Sequence, residues 1–167
     1  MNEAELIHDA QHGLYITPEG YKILQAELEH LTMVKRPEIA DRIRESQQHG
    51  EFSEDNNELD EVKFEQAIVE TRIAELKTIF GNAQILDRKS IPTDFVGLGS
   101  KAKVRDLEFG DEFEIRLVSS VEADPNRELV SNESPMGTAL IGGKAGEEIA
   151  FIAPEGKKRY KILAISK

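Results

Sequence analysis

The sequence contains no cysteine and no tryptophan. Without cysteine the chain can form no disulfide, thiolate nucleophile or cysteine-based zinc site, and this fits a reducing compartment. It also lacks a run of roughly 18 apolar residues, so no membrane span is expected. The first 13 residues have neither the basic flank nor the apolar stretch of a secretion signal. These absences predict a soluble, cytoplasmic protein.

Basic residues are also few. The 167 residues include 32 Asp and Glu against 21 Lys and Arg, which gives a net charge of −11. Tight binding to a phosphate backbone depends on Lys and Arg that displace counterions. Any contact with RNA or DNA is therefore expected to run through a protein partner. The alternative is that the acidic surface serves only to keep the protein soluble.

Residues 17–80 contain little proline or glycine and consist mostly of helix formers. Thr17 suits an N-cap and Pro18 the first helical position. Pro37 lacks an amide hydrogen and predicts a kink or a loosened turn. A first apolar run is Tyr21, Leu24, Leu28 and Leu31, resuming at Ile39 and Ile43. A second run alternates spacings of three and four over three heptads, with one polar member, Gln66: Leu59, Val62, Gln66, Val69, Ile73, Leu76 and Phe80. We predict two long antiparallel helices with a coiled-coil seam, which could also serve as a spacer or a dimerisation element.

The segment between these helices is acidic. Residues 51–61 hold six carboxylates and no base: Glu51, Glu54, Asp55, Glu58, Asp60 and Glu61. Helix capping explains Asp55 and Glu58, whereas Glu51 and Glu54 precede the second helix. Magnesium prefers oxygen ligands and is often held by only one or two protein carboxylates. Such a pair could complete the coordination of a magnesium ion that a second protein already holds.

Two other residues of this tip could contact a partner. Phe52 lies between the acids and could meet a partner surface or fold back on the seam. His49 could position a phosphate or form a local hydrogen bond.

From Ile85 onward the pattern changes to short alternating segments, at 101–107, 112–119, 148–153 and 159–165. Ser134 and Pro135 suit the cap and first turn of a short helix. The fold class is therefore α+β, with a helical hairpin followed by a small antiparallel β domain with one helix. The predicted boundaries are an extension at 1–13, a hairpin at 14–83 with its tip at 49–57, a linker at 84–95 and the β domain at 96–167.

The order of short motifs resembles the Gre family of bacterial transcript-cleavage factors, of the GreA/GreB type. The motifs are Leu14-Tyr15-Ile16-Thr17, Lys35-Arg36-Pro37-Glu38-Ile39, His49-Gly50, Arg72-Ile73-Ala74-Glu75-Leu76, Asn82-Ala83-Gln84-Ile85-Leu86-Asp87, Val96-Gly97-Leu98-Gly99-Ser100 and Ser134-Pro135-Met136-Gly137.

The resemblance implies a transcription elongation factor with an FKBP-like C-terminal domain. This domain should dock on RNA polymerase, through Ser134, Pro135, Met136 and Gly137, at the rim of the secondary channel, while the hairpin enters the channel. Glu51, Glu54 and Asp55 are then the catalytic acids, with His49, Phe52 and Ser53 as tip contacts. The factor has no cofactor of its own: Glu51 and Glu54 would share the polymerase-bound Mg²⁺.

The implied activity belongs to the polymerase, which cuts its backtracked RNA 3′ end, so the factor itself is not expected to be an enzyme. It should meet nascent RNA and DNA only through the elongation complex.

The tip departs from the family pattern, which reads Gly-Asp-x-x-Glu-Asn. Here Glu51 replaces the Asp, and one extra residue falls among 55–57. Asp55 could take the place of the second acid, and Gln47 replaces the usual Arg.

Three alternatives follow. They are a Gre-like paralogue that occupies the channel and modulates or inhibits polymerase without cleavage, an FKBP-like prolyl isomerase, and a coiled-coil adaptor. We expect a monomer, because the hairpin satisfies its own seam.

Overall fold

The computed structural model describes residues 14–49 and 57–167, with the backbone alone at His49. The chain forms two compact units, one spanning Tyr21–Asn82 and the other combining residues up to Gly20 with those from Ala83 onward. The predicted hairpin domain began at residue 14. Residues 14–20 instead belong to the C-terminal unit, because strand β1 (Tyr15–Ile16) pairs with strand β2 (Gln84–Ile85).

The elements follow one another along the chain. The helices are α1 (Pro18–His30), α2 (Arg36–His49), α3 (Asn57–Asn82) and α4 (Pro135–Leu140). After β1 and β2, the strands are β3 (Lys101–Asp106), β4 (Glu112–Val118), β5 (Leu129–Ser131), β6 (Glu148–Ala153) and β7 (Gly156–Ser166).

The seam of the hairpin is apolar, as predicted. Its buried residues are Ile39, Val62, Val69 and Ile73, with Leu28, Leu31 and Ile43 partly buried against them. Leu76 of the predicted seam is fully buried, whereas Gln66 is exposed and Ile79 is buried in addition. The pattern drifts because a straight helix has 3.6 residues per turn and a strict heptad repeat requires 3.5.

Arginine–glutamate pairs join the two arms of the hairpin. Two are bidentate: Arg36 donates to both oxygens of Glu70 at 2.8 Å, and Arg72 donates to both oxygens of Glu27 at 2.6 and 3.0 Å. The third joins Arg42 to Glu65 at 2.7 Å. As the residue number rises along the first arm, that of its partner falls, so the arms are antiparallel.

A wide π-helical turn, Leu31–Lys35, separates α1 from α2. The backbone N–H of Arg36 donates to the carbonyl oxygen of Leu31, five residues back. Pro37 follows directly and has no amide hydrogen to donate. The hydroxyl of Thr32 donates to the carbonyl of Leu28 at 2.8 Å, which occupies another acceptor at this place. The turn is therefore loosened where the proline predicts it.

The C-terminal unit is built on a five-stranded sheet in the order β5-β4-β3-β7-β6. All neighbours are antiparallel except β4 and β5, which are parallel. One face of the sheet carries the core, which consists of Val96, Ala102, Val104, Ile115, Leu117, Leu140, Tyr160 and Ile162. The expected linker at 84–95 is part of this packed unit, because it holds β2 and the buried side chains of Ile91 and Phe95.

A buried carboxylate holds the start of α1. The Glu122 side chain is 8% exposed and accepts hydrogen bonds from the Thr17 amide at 2.8 Å and the Thr17 hydroxyl at 2.6 Å. The same hydroxyl caps the helix by accepting from the amide of Gly20 at 3.0 Å. Burial raises the pKa of the Glu122 carboxyl, and the bonds from Thr17 oppose that rise. The predicted N-cap at Thr17 is therefore confirmed, and Glu122 is its non-local partner.

Gly20→Ala is expected to destabilise the C-terminal unit. An added Cβ would lie 1.7 Å from Oε1 of Glu122, so the carboxylate must move and lose its bonds to Thr17. A buried acceptor without its partners costs about 1–3 kcal/mol. The control is Gly81→Ala in α3, where an added Cβ meets nothing within 4 Å, and there alanine should gain about 0.5–1 kcal/mol of helix propensity. Denaturant unfolding measures the free energy of unfolding of both variants. Equal changes in the two would contradict a stabilising role of the hydrogen bonds between Thr17 and Glu122.

Candidate functional site

The predicted acidic tip falls between two helix ends. Helix α2 ends at His49, whose side chain lies outside the described residues, and α3 begins at Asn57. Glu51, Phe52, Ser53, Glu54 and Asp55 likewise lie outside the described residues. Their assignments as catalytic acids, tip contacts and magnesium ligands therefore stay predictions.

Acidic side chains continue into the first turn of α3. Glu58 and Asp60 lie in this turn, both exposed. Carboxylates are favoured there because the helix dipole places a partial positive charge at its N-terminus. The first base on α3 is Lys63. The start of α3, next to the predicted tip, thus presents negative charge.

The arms next to the tip are held by the seam and by the ion pair between Arg42 and Glu65. The hydrogen bond that Arg42 donates to Glu65 raises the pKa of Arg42, and the charges of Glu65, Glu38 and Glu61 add to this. The side chains of Arg42 and Glu65 are 40% and 34% exposed. Surface pairs of this kind add little stability, so the packing of the two arms depends mainly on the buried seam.

No metal site is complete within the described residues. Across residues 14–49 and 57–167, no three His, Asp or Glu side chains are grouped to hold a metal ion. The predicted magnesium ligands Glu51 and Glu54 lie in the segment between these ranges.

The predicted docking motif forms the start of α4. The Ser134 hydroxyl accepts from the amide of Gly137 at 3.0 Å and donates to the Ser131 carbonyl at 2.7 Å. Pro135 is exposed, whereas Met136 packs against the sheet core. An added Cβ on Gly137 would lie 1.9 Å from the Ser131 carbonyl oxygen. Ser134 and Gly137 therefore shape the helix start, and Pro135 offers the exposed surface.

The aromatic residues of the sheet pack against one another. The Tyr160 ring lies edge-on to Phe113 at 5.5 Å and to Phe151 at 5.3 Å between centroids. All three belong to the core or border on it. Rings engaged in this way give no support to the prolyl-isomerase alternative, which requires an aromatic-lined pocket for proline.

Comparison with known proteins matches both parts of the chain to one family. A family model described as "Transcription elongation factor, N-terminal" matches residues 14–85, and a second, for the GreA/GreB C-terminal domain, matches residues 91–167. The chain belongs to the Gre family of transcription elongation factors. Within the described residues, no helix of this Gre-family chain is both long and apolar enough to cross a membrane.

Individual relatives agree with the family assignment. The chain is 48% identical over 152 residues to transcription elongation factor GreA of Acetivibrio thermocellus, covering 91% of this chain and 95% of the relative. It is 47% identical over 150 residues to GreA of Clostridium acetobutylicum, covering 90% and 94%. Among solved structures, GreA factor homolog 1 of Thermus thermophilus is 29% identical, with a TM-score of 0.44 and coverage of 93% of this chain and 100% of that one.

The three arginine–glutamate pairs between the arms were not predicted from the sequence. The Arg36, Arg42 and Arg72 side chains each reach a glutamate on the other arm. The signal was present, because charged residues beside an a/d seam commonly pair across helices. Identifying the partners requires the register, which the apolar spacing alone does not supply.

Proposed function

We propose that this chain binds RNA polymerase, inserts its helical hairpin into the secondary channel and stimulates cleavage of backtracked RNA 3′ ends. The observation that carries the proposal is the match of both domains to the Gre family. It is supported by the described hairpin, whose two antiparallel arms end on either side of the acidic segment 50–56.

The chemistry assigned to the tip is shared with the polymerase. Glu51 and Glu54, with Asp55 beside them, would ligate a magnesium ion that the polymerase already holds and orient the attacking water. Two-metal sites stabilise the attacking and leaving oxygens of a phosphodiester. The factor thus supplies part of the active site in trans and is no nuclease of its own. Its place of action is the cytoplasm, where the polymerase works.

A second candidate function is occupation of the channel without cleavage. It is favoured by Glu51, which is longer than the aspartate of the family pattern, and by the extra residue at 55–57. One residue can displace a carboxylate by up to ~3.5 Å, and even a 1 Å misplacement can cost about 10²-fold in rate.

Incubation of the purified protein with a stalled, backtracked elongation complex tests the proposal. We expect shortening of the RNA from its 3′ end, accelerated at least about tenfold over polymerase alone, because an oriented water and a shared metal lower the barrier. The control omits magnesium, which should abolish cleavage. Binding to polymerase without acceleration would instead identify the non-cleaving modulator.

A further inference from the structure

The solvent face of the sheet carries a line of cations on two adjacent strands, the central strand β3 and its neighbour β7. On β3 these are Lys101, Lys103 and Arg105, and on β7 they are Lys157, Arg159 and Lys161. They alternate with the buried Ala102, Val104, Tyr160 and Ile162, so all six point away from the core. We call these six residues the basic stripe. It lies on the sheet face opposite the core against which Met136 of α4 packs.

The register makes the basic stripe continuous. Lys161 of β7 lies opposite Arg105 of β3, and from there the cations run in opposite directions, to Lys101 on one strand and to Lys157 on the other. This path spans eight residues, which at about 3.3 Å per residue is roughly 26 Å. The basic stripe is narrow, since neighbouring strands lie only about 4.8 Å apart.

The acids of this face border the basic stripe and neutralise part of it. Glu112 on β4 contacts both Lys103, at 3.6 Å, and Arg105. Glu148 on β6 contacts Arg159 at 3.0 Å. Across the described residues, no ion pair joins the other three cations of the stripe to a carboxylate; these are Lys101, Lys157 and Lys161.

Cross-strand pairing with glutamates accounts for part of this arrangement. On β4, Glu114 and Glu112 lie directly opposite Lys103 and Arg105, and Glu148 on β6 lies directly opposite Lys161. The register places Lys101 directly opposite Arg116 and Arg105 directly opposite Lys161. Like charges directly opposite each other destabilise a pair of strands. On a chain with net charge −11, these two juxtapositions make an acidic partner favourable at the basic stripe, most of all at Lys101, which lies between Arg116 and Ser166 with no glutamate opposite it.

The shape and surroundings of the basic stripe favour a protein segment over nucleic acid. The aromatic rings of Phe113, Phe151 and Tyr160 lie on the core side, so no ring of these strands is available on this face for the base stacking that single strands use. Beside the basic stripe, opposite Lys157, lies Ile152 with its side chain 76% exposed. A slender acidic segment with an apolar residue would match both features.

We propose that the basic stripe docks an acidic segment of RNA polymerase, as a contact separate from the one predicted at Pro135. This inference rests on the proposed function, because the polymerase is the partner that it invokes. An extended segment of about eight residues, or a helix of about 17, would cover the ~26 Å of the basic stripe.

The test compares binding of core RNA polymerase by the intact chain and by two double variants. Lys101→Glu with Lys157→Glu reverses two cations of the basic stripe that have no ion pair, and Lys89→Glu with Lys144→Glu makes the same charge change at exposed positions elsewhere. We expect the stripe variant to bind roughly tenfold more weakly at about 50 mM salt, with the loss shrinking at about 500 mM as screening increases. The control variant should change less than about twofold.

Thermal unfolding separates docking from a structural role. The stripe variant removes the like-charge juxtaposition of Lys101 with Arg116, and Lys157 lies opposite the uncharged Ile152, so its midpoint should stay the same or rise while its affinity falls. A lowered midpoint together with weaker binding would overturn the proposal, and so would equal losses in both double variants.

Two further outcomes are distinguishable. If the unmodified chain binds polymerase and the stripe variant binds equally well, the docking surface is refuted and the proposed function stands. If the unmodified chain does not bind polymerase, both are refuted. A stripe variant that loses affinity for a 25-base-pair DNA duplex but not for polymerase would assign the surface to nucleic acid and overturn the protein-docking proposal.

Discussion

Replacing Glu51, Glu54 and Asp55 together with Gln, Gln and Asn is expected to abolish the stimulation of RNA cleavage. The amides keep the size of the side chains but remove the negative oxygens that a hard cation requires. If these oxygens position the second magnesium ion and its water, the rate should fall by at least about 10²-fold. The measurement is the rate of RNA shortening in a stalled complex at saturating factor.

The matched control removes three charges a few residues away. Glu58→Gln, Asp60→Asn and Glu61→Gln lie at the start of α3, where all three side chains are exposed. Each loses about 0.3–1 kcal/mol of favourable interaction with the helix dipole, which should leave the hairpin folded and cleavage within about threefold of the unmodified chain. A similar loss in both triple variants would show that general negative charge, and not the tip acids, carries the effect.

Single substitutions discriminate between the two possible partners of Glu51. If Glu54 is the second ligand, Glu54→Gln should approach the triple variant and Asp55→Asn should not. If the extra residue lets Asp55 take that place, the order reverses. If neither the single substitutions nor the triple variant changes the rate of cleavage, the shared-metal mechanism is refuted, although family membership would stand.

Local sequence chemistry predicted the helix starts correctly. Thr17 with Pro18 and Ser134 with Pro135 each form a cap within a few residues, and both caps are present. The π turn before Pro37 has an equally local cause. Such features depend on neighbouring backbone groups, so no knowledge of the tertiary fold is required to predict them.

Features that depend on distant pairing could not be predicted in this way. Strand β5 has only three residues, too few for an alternating pattern, and it is fixed by its parallel pairing with β4. The bond from Thr17 to Glu122 joins residues 105 positions apart. The sequence shows the alternating cations of β3 and of β7, but only the register reveals that they lie side by side.

The predicted tip is the opposite case, because local sequence and not distant pairing indicated it. Composition and family pattern indicated its acids, and the described structure adds the arms that carry it: a buried seam and three arginine–glutamate pairs. A hairpin of two helices has a thin core, because each arm can bury only one stripe of side chains. Its rigidity therefore depends strongly on single seam residues.

Ile73→Ala is accordingly expected to destabilise the hairpin severely. The Ile73 side chain is 2% exposed and packs in the seam with Ile39, Val62 and Val69. Truncating a buried isoleucine to alanine costs about 2–5 kcal/mol through lost burial and the cavity left behind. Hydrogen exchange of the α3 amides should accelerate, and cleavage stimulation should fall as temperature rises, because a frayed arm no longer positions the tip.

Ile68→Ala is the matched control, with the same substitution on the same helix. Ile68 is 55% exposed, so truncation removes little buried surface and should change stability by no more than about 0.5 kcal/mol. Any gain in helix propensity is shared by both variants and cancels in the comparison. Equal destabilisation at the two positions would mean that Ile68 is also buried in solution, and that the hairpin has a second packed face beyond the seam between its own arms.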